Sequence, residues 1–179
     1  MIDIFLAEGF EEIEALCPLD LLRRAGLDVR TVGIGSKNVT GAHGITVVAD
    51  ITDKEYTYSS PEMIFLPGGM PGTLNLEASE VVRNAITLAA AENKYIAAIC
   101  AAPSILGKMG LLDGKEAICY PGFEDKLMGA RISDKKVVTD GKILTAAGMG
   151  VALDLGLEMI RILKGEKESQ ALRHGVIAD

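Results

Sequence analysis

Residues Tyr95-Ile96-Ala97-Ala98-Ile99 form an unbroken apolar run that ends at Cys100 and passes through Ala101-Ala102 into Pro103-Ser104-Ile105-Leu106. Such a run ahead of a turn suits a buried strand, and a proline just beyond suits the first turn of a helix, where its missing N–H costs nothing. The chain is therefore expected to turn sharply from strand to helix at Cys100, aiming that side chain at a helix N-terminus. Ala98 and Ala102, two residues before and two after, are both small. A Gly-x-Ser-x-Gly nucleophile elbow makes the same demand, because so tight a turn leaves no room for larger groups. Cys100 is the first candidate for chemistry.

The remaining pattern alternates strands with helices. Ile2 to Ala7 reads as a short buried strand, and Glu8-Gly9-Phe10-Glu11-Glu12 as a loop opening a helix with acidic residues at its positive end. Leu16, Leu19, Leu22 and Leu27 continue an apolar stripe. Pro18 falls in the first turn or marks a kink, and Arg23-Arg24-Ala25-Gly26 supplies the stop. Asp28 to Gly35 is the second strand. Thr40 to Gly44 is a turn and Ile45 to Asp50 an edge hairpin strand, since the connection is too short for a crossover. Met63-Ile64-Phe65-Leu66 is a fully apolar strand ending in Pro67-Gly68-Gly69, whose glycines allow the backbone to approach a ligand closely.

Val81, Val82, Ala85, Ile86 and Ala89 mark the next helix, with Ser79 as its N-cap. Further on, Glu116 to Tyr120 reads as a short strand, and Asp140-Gly141 as the two-residue turn between Lys136–Thr139 and Lys142–Thr145. Gly148-Met149-Gly150 feeds a helix with Ala152, Leu155, Met159, Ile162 and Leu163 on one face, which Gly165 ends. Strands that are continuous apolar runs, alternating with helices, imply an α/β sandwich with a mainly parallel sheet covered on both faces. In such sheets the site lies at the carboxyl ends of the strands. Three loops meet that condition: the one after the first strand, Pro67-Gly68-Gly69, and the turn at Cys100.

The 179 residues suit one domain spanning 1–179, and an apolar content of 49% supplies a sizeable core. Eighteen basic against twenty-five acidic residues give a net charge of -7, which disfavours nucleic-acid and anionic-membrane surfaces. A small-molecule or protein partner is expected instead. Cys17, Cys100 and Cys119 form no short metal-binding pair, and with two histidines no zinc site is expected; the odd count suits a reducing compartment. The start Ile2 to Ala7 lacks the basic flank of a secretory signal, and no apolar run is long enough to span a membrane, so a cytoplasmic location is expected.

A cysteine at a helix N-terminus is expected to have its thiolate stabilised, its pKa falling from about 8.5 to roughly 3.5–7.5. Neither histidine is placed to manage its proton. His43 lies in a turn remote along the chain and His174 in the charged C-terminal segment, both read as surface residues. The better partner is a carboxyl after the first strand, among Glu8, Glu11, Glu12 and Glu14, held protonated by partial burial. Periodicity alone does not choose among the four. The Gly68, Gly69 and Ala101 amides could form an oxyanion hole.

Taken together, Ala7-Glu8-Gly9-Phe10-Glu11-Glu12-Ile13-Glu14, Leu66-Pro67-Gly68-Gly69, Ala97-Ala98-Ile99-Cys100-Ala101-Ala102-Pro103 and Asp140-Gly141-Lys142-Ile143-Leu144-Thr145 closely resemble the ThiJ/PfpI superfamily. More narrowly, they resemble its branch of parkinsonism-associated DJ proteins and bacterial YajL-like members. The resemblance implies a flavodoxin-like three-layer α/β/α sandwich with a cysteine nucleophile elbow, in a homodimer that needs no cofactor. It implies Cys100 as the reactive cysteine, Glu14 as the protonated glutamate touching its sulfur, and the Gly69 and Ala101 amides as lining of an anion pocket. The activities it implies are glutathione-independent glyoxalase, deglycase on glycated proteins, and oxidative-stress sensing through a cysteine sulfinic acid.

Two departures stand out. Tyr120, in Cys119-Tyr120-Pro121, occupies the position where many relatives have a histidine; a phenol donates a hydrogen bond but is a poor base. Tyr120 is thus expected to orient substrate. Ala101 stands where the peptidase branch has a histidine, so peptidase activity is not expected.

Overall fold

The computed structural model describes all 179 residues. In chain order its strands are β1 (Ile2–Leu6), β2 (Val29–Gly33), β3 (Asn38–Thr40), β4 (Thr46–Val48), β5 (Ile51–Thr52), β6 (Met63–Leu66), β7 (Tyr95–Ile99), β8 (Glu116–Ala117), β9 (Arg131–Ile132), β10 (Val137–Asp140) and β11 (Ile143–Ala146). The helices are α1 (Glu12–Arg24), α2 (Gly72–Ala78), α3 (Glu80–Ala91), α4 (Pro103–Lys108), α5 (Ala152–Lys164) and α6 (Glu166–Gly175). Seven strands form the central sheet in the order β10-β11-β7-β6-β1-β2-β5, with every pairing parallel except that of β10 with β11.

Alternation along the central strands divides the core in two. Phe5, Ile64, Leu66, Ile96 and Ala98 face one apolar cluster, completed by Leu76, Val82, Ile86, Ile105 and Leu106 from α2, α3 and α4. Their neighbours Ile4, Phe65, Ala97 and Ile99 face the other, completed by Leu21, Leu22, Leu155 and Met159 from α1 and α5. The result is the three-layer α/β/α sandwich, flavodoxin-like in form. The sequence explains why the strands read as uninterrupted apolar runs: both faces of each are covered. One exception is charged. Asp3 in β1 is fully buried, accepts both bonds of the Arg30 guanidinium at 2.9 and 3.0 Å, and takes a third from the Tyr56 hydroxyl. A buried carboxylate survives because it is paired and fully bonded.

Several local expectations shift. The stripe of α1 that faces inward is Ala15, Pro18, Leu21 and Leu22, whereas Leu16 and Leu19 are half-buried and Leu27 lies beyond the helix. The same rotation turns Glu14 inward. Pro18 sits in the helix interior, not its first turn, and α5 approaches so closely there that a Cβ on Gly156 would lie 3.1 Å from Pro18 Cα. Of the expected strand Ile45 to Asp50 only β4 forms, paired antiparallel with β3, and a separate short strand just beyond it, β5, joins the sheet edge beside β2. At the β10–β11 hairpin Asp140 pairs with Ile143, so Gly141 and Lys142 form the turn, one residue later than expected. The strand expected over Glu116 to Tyr120 is only the two residues of β8. Beyond Gly165 the chain is helical again in α6, where acidic Glu166 and Glu168 start the helix and Arg173 and His174 end it.

Candidate active site

The order β7-β6-β1 places three successive strands side by side, so the loops at their carboxyl ends meet. Backbone bonds tie the first two loops together: Glu11 N–H donates to Gly68 O at 2.9 Å, and Gly72 N–H to Gly9 O at 3.0 Å. Glycine is required for that approach. A Cβ on Gly69, which has φ +91°, would fall 2.3 Å from Glu11 N, and one on Gly68 would fall 2.6 Å from both Cys100 Cβ and Glu14 Oε2.

Cys100 follows β7 directly with φ 64°, the left-handed region that side-chain-bearing residues rarely occupy. Its backbone is fixed on both sides, N–H donating to Ala146 O at 2.9 Å and its carbonyl accepting from Tyr120 N–H at 2.8 Å. This is the strand-to-helix elbow, and Pro103 opens α4 in its first turn.

Glu14 arrives from the first turn of α1, only 1% exposed. Glu11 caps that helix by accepting from Glu14 N–H at 2.7 Å. The Glu14 carboxyl hydrogen-bonds with the Cys100 side chain and accepts from the Gly68 amide at 3.0 Å and from the Met149 amide. Burial pushes its pKa up to about 7; the nearby Glu11 charge adds to the rise, while the bonds from Cys100, Gly68 and Met149 oppose it.

Cys100 departs from expectation. Burial and the Glu14 charge push its thiol up to about 12, against the lowering effect of the Gly69 and Ala101 amides. The expected depression fails because the sulfur is buried and because an acid, not a cation, stands beside it. Glu14 and Cys100 thus behave as one proton-holding pair. The carboxyl proton leaves near neutrality, and the sulfur keeps its own.

The Gly68 amide is occupied by Glu14, which leaves the Gly69 and Ala101 amides as the donors beside the sulfur. Tyr120 is half-exposed, and its ring borders Gly148, where an added Cβ would stand 3.2 Å from Tyr120 Cδ2 and 3.8 Å from Glu14 Oε1. Sequence reasoning missed the Met149 amide. The Gly148-Met149-Gly150 signal was a glycine-flanked loop after a strand, the same kind of signal as Pro67-Gly68-Gly69.

His43 is exposed, yet the fold brings it to the start of α1, where its Nδ1 meets Glu12 Oε2 at 2.8 Å and its backbone N–H donates to Glu12 Oε1 at 2.7 Å. The bond to Glu12 raises the His43 pKa. Glu11, Glu12 and His43 are the residues whose ligating atoms, all within 4.8 Å of one another, could hold a cation. His174 lies at the end of α6, bonded to Asp179 at 2.7 Å. No helix is long and apolar enough to cross a membrane.

Comparison with known proteins agrees with this fold. The chain is 35% identical over 167 residues to an Arabidopsis thaliana protein, DJ-1 homolog B, covering 92% of this chain and 38% of that one, so it spans well under half of that relative's length. It is 29% identical over 167 residues to a Caenorhabditis elegans protein named glutathione-independent glyoxalase DJR-1.2, covering 92% of this chain and 89% of that one. The solved structure of Toxoplasma gondii DJ-1, oxidized, superposes with a TM-score of 0.95 at 30% identity, covering 98% and 97% of the two chains. The model of the DJ-1/PfpI family matches residues 1–162, and the chain belongs to that family.

Proposed function

We propose that the chain is a cofactor-independent enzyme of the glyoxalase or deglycase type, acting on reactive carbonyls such as methylglyoxal or on glycated protein. The observation that carries this reading is the Glu14 carboxyl, bonded to Cys100 and pushed up to about 7, where it can both accept and donate a proton. The Cys100 sulfur adds to the aldehyde carbon, and the oxygen takes a proton or is held by the Gly69 and Ala101 amides. Glu14 then removes the proton from that carbon and returns one to the neighbouring carbon. The aldehyde carbon is oxidised to a thioester as the ketone carbon is reduced to an alcohol, and water releases lactate and the thiol. The electrons balance within the substrate, so no redox cofactor is needed. Tyr120 orients the substrate. The glyoxalase name of the Caenorhabditis relative supports the same class.

The test is conversion of methylglyoxal to lactate without glutathione, comparing the native chain with Cys100→Ser and Glu14→Gln. Equal rates in all three would sink the proposal.

A second reading is favoured by the oxidised state named for the Toxoplasma structure. In it Cys100 is a stress sensor that peroxide converts to a sulfinic acid, with Glu14 donating a hydrogen bond to the product. Mass spectrometry after mild peroxide separates the two: selective gain of two oxygens at Cys100 with negligible carbonyl turnover favours the sensor. We further propose a cytoplasmic homodimer. Ile13 at the start of α1 and Ile45 and Val48 around β4 are exposed apolar residues that a second copy could cover. Light scattering that returns a monomer mass at micromolar concentration would contradict it.

A further inference from the structure

A cavity of about 390 Å³ is lined by Tyr120, Pro121, Lys136, Ala147 and the loop Gly148 to Val151, and it reaches the Cys100–Glu14 pair through Gly148, where an added Cβ would stand 3.8 Å from Glu14 Oε1. Its wall is continuous with the site. Met149 donates its amide to Glu14, the Tyr120 amide is bonded to the Cys100 carbonyl, and Gly148 packs against the Tyr120 ring. Among the lining residues the sole charge is Lys136. Its neighbour Lys135 is neutralised by Glu116 at 3.1 Å, whereas Lys136 has no carboxylate within 4 Å. In a chain of net charge -7, whose Cys100–Glu14 pair sits beside the acidic Glu11, an unpaired cation on this wall is out of keeping with its surroundings. The cavity also has Tyr120 where its hydroxyl can donate a hydrogen bond.

We infer that Lys136 and Tyr120 form an anion-recognising subsite, and that the preferred substrate is an α-oxoaldehyde carrying a carboxylate or phosphate on its far end. With the aldehyde carbon at the Cys100 sulfur, the chain of such a substrate runs along the Tyr120 ring and its anionic group reaches the Lys136 ammonium. Neutral methylglyoxal fills only the reacting end. Lys136 is on this view a specificity residue, acting on binding and not on proton transfer. The inference rests on the carbonyl chemistry proposed above for its substrate, but not for its anion site.

The experiment has two parts. Purified chain is first alkylated at Cys100 with iodoacetate and with iodoacetamide, two reagents of similar size in which the sulfur displaces iodide to form the same S–C bond; only the first is anionic. The ratio of the two rates, read by mass spectrometry at Cys100, is compared among the native chain, Lys136→Met, Lys136→Arg and Lys135→Met. The ratio is expected to fall about three- to tenfold in Lys136→Met, to hold in Lys136→Arg and in Lys135→Met, and to converge at high salt. An equal ratio in Lys136→Met and the native chain would overturn the subsite, as would an equal fall in Lys135→Met.

The second part compares methylglyoxal with hydroxypyruvaldehyde phosphate and with a carboxylate-bearing dioxopentanoate. Lys136→Met is expected to lower kcat/KM for an anionic aldehyde relative to methylglyoxal, chiefly through KM, and the substrate showing the larger effect identifies phosphate or carboxylate as the recognised group. A charge-dependent alkylation ratio with no turnover of any aldehyde upholds the subsite while removing the carbonyl activity.

Discussion

Cys100 and Cys119 make an instructive pair, because burial treats them alike. It pushes one thiol up to about 12 and the other up to about 11. Cys119 is 1% exposed within an apolar cluster, and its ionisation meets only the Glu124 charge and one opposing amide from Phe123. Cys100 is also raised first of all by burial, yet it touches an acid whose own proton is loose near neutrality and faces two backbone amides. The difference teaches that reactivity here comes from the company of the sulfur. A buried thiol without a proton partner is a small hydrophobe, whereas the same thiol beside a carboxyl can exchange its proton without sending it to bulk water.

The strongest way to break that contrast is substitution at each sulfur. Cys100→Ser is expected to reduce carbonyl turnover by about a thousandfold or more, and Cys119→Ser to leave it within about twofold; a comparable loss from Cys119→Ser in a steady-state assay would erase the distinction. Glu14→Gln is expected to cost about a hundredfold or more. It is also expected to move the inflection of Cys100 alkylation to lower pH, because the Glu14 charge that adds to burial in holding the thiol up to about 12 is gone, as measured by iodoacetamide labelling across pH.

The same carboxyl gives a stability test. Its folded pKa lies above its ordinary value of 4.5, so its contribution to stability is full below that pH and is lost as pH rises to about 7. The native chain should lose up to about 3 kcal/mol over that window relative to Glu14→Gln, read from urea midpoints at each pH. Parallel profiles would show that Glu14 does not hold a raised pKa. The smallest expected effect is at Gly68. A Cβ there wedges between Cys100 and Glu14, so Gly68→Ala should cost about 1–3 kcal/mol and flatten the Glu14 dependence of alkylation; an unchanged pH profile would show that the pair tolerates separation.

Much of the arrangement could be read from the residues. The apolar runs at Met63–Leu66 and Tyr95–Ile99 named the central strands because nothing polar interrupts them, and the small residues around Cys100 announced the elbow. Ser79 stood out as a cap because its hydroxyl serves α3 locally, accepting from Val82 N–H. What escaped was set by distant partners. Asp3 interrupts β1 with a charge whose justification, Arg30 and Tyr56, lies far along the chain. The choice of Glu14 over Glu8, Glu11 and Glu12 depends on how α1 rotates against α5, and periodicity alone did not resolve it; family resemblance did. The upward shift of the thiol was hidden in the sequence because the burial of the sulfur and the sign of the neighbouring charge both emerge only when the loops converge.

The backbone of Cys100 carries one more consequence. Its φ of 64° costs a residue with a side chain on the order of 1–3 kcal/mol, a strain glycine escapes. Folding and chemistry therefore pull position 100 in opposite directions. A population of variants sorted for solubility alone would drift there toward glycine or asparagine, while one sorted for survival under carbonyl or peroxide stress would keep cysteine. The occupant of this single position records which of those pressures has been acting on the protein.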